Sequence, residues 1–308
     1  MKRLLPLLLM FLALFMVHAE GETVSYKGLV TADSNAIYVD FGSVQVDDLA
    51  ALEAFLDRLP NLMKCDMFET VMKPEWADEL YRRYFNIEFG WTFHIECSNK
   101  PTHVIRTDMT VFSTLHNNQS RAHSAEDFAV LKYCPHLIAL DIGHNGVNDI
   151  SFVKYMPHLR VLIIGRNAIT SIAPLAACPE LEYLEAFSNR IDSVAPLLGC
   201  KNLLDLNVPN NRIEDPELFA HLTSLKRLWA FNYAWGSLQE NHVPQEIRSM
   251  VRNALPDCEI NWIQMGTGGT WRTVDGSENG KKTPHYAVIN EMFTTGVYIP
   301  FAESAPLN

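Results

Sequence analysis

A chain of 308 residues, 48% apolar and 20% charged, has material for a large core in one long domain or two compact ones, which excludes a disordered polymer. Its net charge of −11 argues against nucleic acid or anionic lipid as partner, because both need basic surface.

Lys2 and Arg3 precede an apolar run from Leu4 to Val17, and "VHA" at 17–19 offers small residues for cleavage after Ala19. This pattern predicts a secretory signal peptide over 1–19, with a retained anchor as the alternative. The run is shorter than the ~20 residues of a membrane span. Its removal takes two bases and no acid, leaving 36 acidic against 23 basic residues, a net charge of −13. The expected mature chain is secreted, with no membrane insertion after cleavage. Residues 20–36 are a leader without an assigned element.

Residues 37–112 read as N-terminal flanking strand–helix repeats, with a separate small α/β domain over 37–100 as the alternative. "DDLAALEAFLDRL" at 47–59 sets Leu49, Leu52, Leu56 and Leu59 on one helical face. "KPEWADELYRRYF" at 73–85 does the same with Trp76, Leu80 and Tyr84, and "NIEFGWTFHIE" follows as a strand.

Residues 113–234 carry the dominant signal, a 22-residue period from 137. Leu137, Leu159, Leu181, Leu203 and Leu225 recur at that spacing, and Leu140, Leu162, Leu184, Leu206 and Leu228 follow three residues after each. Asn145, Asn167, Asn189 and Asn211 return at one offset. Strict returns of L-x-x-L-x-L-x-x-N specify leucine-rich repeats. Each "LxxLxL" is a short strand whose leucines point one way; a single repeat cannot bury them, and stacked parallel strands ~4.8 Å apart bury them together. The asparagines form a structural ladder, since an amide satisfies the backbone groups of its own turn and its neighbour's. Pro174 and Pro196 in "IAPL" and "VAPL" predict short helices or 3₁₀ turns on the return side. The predicted fold is α/β: a right-handed leucine-rich-repeat solenoid with a curved parallel sheet on its concave side and longer strand–helix repeats at its flanks.

Residues 235–263 form the C-terminal flanking repeat, in which "VPQEIRSMVRNAL" aligns Pro244, Ile247, Met250 and Ala254, and "DCEINWIQ" is the strand. Residues 264–308 are a linker and a C-terminal helix, with Thr283 as N-cap, Pro284 at N1 and Tyr286, Ile289 and Phe293 on one face. This helix packs on the last turn of the solenoid, or docks a partner. Cys134, Cys178 and Cys200 share an offset with Met156 and Leu222 and fill an apolar column as free thiols, with a Cys178–Cys200 disulfide as the alternative. Cys65 and Cys258 are expected to be buried.

The 137–234 block resembles the short-repeat bacterial leucine-rich repeat proteins, of which the internalins are best known. That resemblance implies a curved solenoid binding proteins on its concave sheet. "RTDMTVFSTLHNN", "EDFAVLKYCPHLIALDIGHN", "GTGGTWR" and "MFTTGVYIPF" also look like a group of exported leucine-rich repeat proteins from Gram-positive bacteria, a likeness that implies architecture rather than activity. The chain has no LPxTG sorting signal, which departs from the internalins.

On the concave sheet, the positions between the leucines are expected to face solvent. Tyr183, Glu185, Phe187, Asp205, Asn207, Arg227, Trp229 and Phe231 there combine aromatics with charges and amides, which suits a partner-binding hot spot. A protein is the expected partner and a cell-wall glycan the alternative; in a third reading the tail or the third flanking helix covers these residues. No nucleophile elbow, zinc-protease motif or P-loop occurs, and His94, Glu96, Cys97 and His103 lack metal-ligand spacing. The sequence therefore predicts no catalytic residue, metal or cofactor, with enzymatic use of the flanks or tail as the weakest alternative.

Overall fold

The computed structural model describes residues 21–96, 102–114, 123–230, 243–262, 269–277 and 280–301; the expected signal segment lies outside them. None of the described helices is long and apolar enough to cross a membrane. The chain divides into two compact units, Met1–Thr92 and Phe93–Asn308.

The first unit opens with an antiparallel hairpin of β1 (Thr23–Tyr26) and β2 (Val30–Asp33), where the sequence had suggested only a leader. Lys27, Gly28 and Leu29 form its three-residue loop, with Lys27 and Gly28 at positive φ and the Leu29 N–H donating to the Tyr26 carbonyl at 2.9 Å. Then β3 (Tyr38–Asp40), α1 (Leu49–Leu56), β4 (Lys64–Val71), α2 (Pro74–Arg83) and β5 (Glu88–Ile95) alternate, and the three strands pair in parallel. The Asp48 side chain caps α1 by accepting the Ala51 N–H, and Pro74 starts α2. Leu52, Leu56 and Leu59 are buried as their spacing predicts, joined by Phe55, while Leu49 is half-buried. On α2, Ala77, Leu80 and Tyr84 are buried, and Trp76 stays half-exposed under the Lys73 ammonium.

The second unit contains β6 (His103–Arg106) and the repeat sheet. That sheet has seven parallel strands, β7 (Val111–Ser113), β8 (Ala139–Asp141), β9 (Val161–Ile163), β10 (Tyr183–Glu185), β11 (Asp205–Asn207), β12 (Arg227–Trp229) and β13 (Glu259–Asn261), in chain order across it. Register places Leu140, Leu162, Leu184, Leu206 and Leu228 side by side, with Phe112 and Ile260 at the two ends. Every one of these five leucines is fully buried, contributing ~1.5–3 kcal/mol each against an exposed state. A short helix α3 (Ala125–Phe128) leads into the returns, which are 3₁₀ turns, among them Ser151–Tyr155, Ala173–Ala177 and Ala195–Gly199, the last two with proline at their start. The chain is thus a leucine-rich-repeat solenoid.

The column of Cys134, Met156, Cys178, Cys200 and Leu222 is buried and its cysteines are free thiols. Cys65 is buried as well, whereas Cys258 is only half-buried. The flanking helix α4 (Gln245–Ala254) buries Val251, between Val243 and Leu255. The expected inward Met250 and Ala254 are instead exposed, because the helix is rotated so that the 243, 247, 251 and 255 stripe faces in.

Candidate functional site: the sheet face and the segment that covers it

The asparagine ladder links the rungs at the sheet's exit turns. Asn167 donates to the carbonyls of Ile142 and Ile164 at 3.0 Å each and accepts the Val147 N–H at 3.1 Å. Asn189 and Asn211 repeat the pattern one and two rungs on. Asn145 donates to Thr114, Ile142 and Gly143, and its Oδ1 has no partner among the described residues. The residue before each of these asparagines, His144, Arg166, Ser188 and Asn210, has positive φ. The first three are held from the next rung: the N–H groups of His144, Arg166 and Ser188 donate to the carbonyls of Gly165, Phe187 and Pro209 at 2.8 Å.

On the sheet face opposite the leucines, the expectation of solvent exposure fails. Tyr183, Glu185, Asp205 and Asn207 have no exposed area, and Trp229, Arg227 and Phe187 are 1%, 3% and 4% exposed. Asp141, Ala139, Val161 and Ile163, expected in water, are buried too. Phe231 lies outside the described residues. The cause is the tail. Residues 269–277 and 280–301 fold back over this face, with α5 (Gly269–Arg272) and α6 (Pro284–Thr295), the arrangement anticipated as one reading of the aromatics.

Trp271 enters a cage. Its indole N–H donates to the Tyr183 hydroxyl at 2.5 Å, the Trp229 ring meets it edge-on at 5.3 Å, and the Arg227 guanidinium lies 4.2 Å above it. Arg227 also donates to the Trp271 carbonyl at 3.1 Å. The next residue, Arg272, pairs with Glu185, its Nε donating to both carboxylate oxygens and its Nη2 to Oε1, while Oε2 also accepts from the Tyr183 hydroxyl at 2.9 Å. At the second residue of α6, the His285 ring nitrogen Nδ1 lies 2.8 Å from Asp205 Oδ2. Thr283 begins α6, as its sequence predicts, but its hydroxyl donates to the Trp271 carbonyl and so ties α5 to α6.

Apolar contacts complete the cover. Tyr286, Ile289 and Met292 are buried against Val111, Ala139, Val161 and Ile163, with Phe293 and Tyr298 at the edge. Phe187 lies over Gly165, where a Cβ would come within 2.5 Å of its ring. Burial pushes the Asp141 carboxyl up to about 6, against the N–H of Gly143 and the charge of Arg272, which pull it down. Burial likewise raises the Tyr286 hydroxyl to about 12.

The cover is imperfect at one place. Both amide atoms of Asn207, and Oδ1 of Asp205, have no hydrogen-bond partner among the described residues. An unpartnered buried polar group costs ~1–3 kcal/mol relative to water, so this polarity works against closure. Among the described residues, no group of three or more His, Cys, Asp or Glu side chains is placed to hold a metal ion. Sequence reasoning found the face but not Trp271, Arg272 and His285, which hold the tail on it; the available signal was a Trp-Arg pair just ahead of an amphipathic helix.

No protein-family model matches the chain, and no curated protein matches it. Among solved structures it is similar to internalin C2 of Listeria monocytogenes, at 16% identity over 63% of this chain and 82% of that one, with a TM-score of 0.35. It is similar also to internalin F of the same species, at 16% identity, 77% and 78% coverage and a TM-score of 0.40. A leucine-rich repeat protein of Leptospira interrogans matches at 17% identity over 68% of this chain and 50% of its own, with a TM-score of 0.43. At such identities the likeness is one of fold, and the repeat assignment rests on the 22-residue register and parallel ladder of the chain itself.

Proposed function

We propose that this protein is a non-catalytic recognition scaffold, exported from a bacterium after cleavage near Ala19, which binds a protein partner through the sheet face opposite the leucines. One observation carries the reading: a polypeptide segment is seated on that face, gripped by Tyr183, Glu185, Asp205, Arg227 and Trp229 from three successive strands. None of these side chains is required by the leucine core, which lies on the other side of the sheet. The aromatic faces on which a sugar ring would stack are covered by Trp271, which favours a protein ligand over a wall glycan. The C-terminal flanking repeat, whose strand pairs with the last leucine strand, would shield that end of the stack, as terminal repeats do.

The test offers culture-fluid proteins and purified wall polysaccharide, side by side, to the immobilised mature chain carrying a photo-crosslinker at exposed Arg166 on the rim of the face. Retention of a defined protein, crosslinked at that position, is the expected result. Retention of polysaccharide alone, or of a protein that never crosslinks there, would overturn the reading. Export has its own check: the protein recovered from culture fluid should begin at Glu20.

A further inference from the structure

The tail and the leucine core are separate contact sets. Trp271, Tyr286, Ile289 and Met292 share one cluster with the outer sheet residues Val111, Ala139, Val161, Ile163, Tyr183 and Trp229, in which none of the repeat leucines takes part. The leucines point to the opposite face, so lifting the tail leaves them covered. Among the described residues, closure also leaves the Asn207 amide and Asp205 Oδ1 without hydrogen-bond partners, groups that water would satisfy on an open face. What holds the tail is side-chain recognition: an indole in a cage, a guanidinium on a buried carboxylate and an imidazole on a second one. Six residues join Trp262 to Gly269, a connection short enough to keep the tail at an effective concentration on the order of 1 mM.

We propose that residues 269–301 are a displaceable internal ligand, and that the partner is a polypeptide presenting the same chemistry: a Trp-Arg pair followed by an amphipathic helix. That helix carries a hydrogen-bonding or cationic group at its start, to meet Asp205, and apolar residues at three-residue spacing, as in Tyr286, Ile289 and Met292. This rests on the scaffold reading and names its ligand. With the internal copy present at ~1 mM and an intrinsic Kd of ~10 µM, a partner in trans binds the intact chain about 100-fold more weakly than an open face.

The test uses full-length protein and a fluorescent peptide of residues 269–301, read by anisotropy. The full-length Trp271→Ala/Arg272→Glu variant, whose own tail is weakened, should bind the wild-type peptide about 100-fold more tightly than the wild-type chain does. A peptide bearing the same two changes should not bind. Equal binding by variant and wild type, or binding indifferent to the peptide's Trp and Arg, would overturn the proposal. Should the variant fail to fold, a protease site between Trp262 and Gly269 of the wild-type chain is cut after folding. The freed tail should leave on dilution and the labelled peptide enter; a tail that stays while no peptide enters overturns the proposal equally. Peptide exchange with no culture protein competing would sink the scaffold reading alone. A partner crosslinked at Arg166 without peptide exchange would sink this inference alone.

Discussion

Replacing Asn189 by alanine tests whether the amide ladder carries stability. The side chain has no substitute at its site. Its Oδ1 is the acceptor for the Ile169 N–H at 3.1 Å, and its Nδ2 donates to Ile164 and Ala186 at 2.9 and 3.1 Å. The two carbonyls are shared, because Asn167 also donates to Ile164 and Asn211 also donates to Ala186. Alanine therefore leaves each carbonyl one donor but orphans the Ile169 N–H, in a rung where Asn189 is 1% exposed. One orphaned buried donor and two weakened acceptors give a loss of ~2–3 kcal/mol. Asn189→Asp should cost at least as much, since it keeps the acceptor but turns a carboxylate toward two carbonyls. Asn145→Ala should cost ~1 kcal/mol less than Asn189→Ala, because its Oδ1 has no donor to lose among the described residues. Urea unfolding followed by tryptophan fluorescence reads all three. Asn189→Ala within 0.5 kcal/mol of wild type, or Asn189→Asp milder than alanine, would refute the argument.

Gly165→Ala should destabilise by ~1–3 kcal/mol, because the new methyl meets three ring carbons of Phe187 at 2.5–2.9 Å; thermal melts should show Phe187→Leu restoring most of the loss, and an additive double variant would speak against the clash. Asp141 is a carboxyl whose folded value lies near 6, above its ordinary 3.8, so its ionisation withdraws stability as pH rises from about 4 through 6. At ~1.36 kcal/mol per unit this amounts to about 3 kcal/mol at pH 7.5. Asp141→Asn should therefore be ~2–3 kcal/mol more stable than wild type at pH 7.5 and no more stable at pH 4; an equal gain at both would rule out burial as its origin. Burial raises the thiols of Cys178 and Cys200 to about 12 and about 11, so iodoacetamide should leave both unmodified in the native protein and label both in urea, by intact mass. A mass matching a Cys178–Cys200 disulfide would contradict the free-thiol column.

Much of the solenoid was legible because its determinants are local and periodic. Leu140 and its equivalents return every 22 residues, and only a stack of parallel rungs buries them all. Asn167 and Asn189 recur where the chain leaves each strand, so their hydrogen-bonding task follows from backbone geometry alone. The flanking helix α4 was legible in extent but not in rotation: Met250 and Val251 are successive residues about 100° apart around the helix, and which one faces in depends on the neighbour. The hairpin around Lys27 and Gly28 escaped notice because four-residue strands leave too short an alternation to read.

The 22-residue spacing by itself determined that the chain stacks into a leucine-cored ladder, since the period, the strand length and the turn chemistry lie within each repeat. Only the tertiary structure decided that the opposite face is covered. Whether Tyr183, Asp205 and Trp229 meet water depends on Trp271, Arg272 and His285, which lie 42 to 102 residues away from them in the chain. A strand's alternation says which residues share a face, and it carries no information about what a distant segment brings to that face.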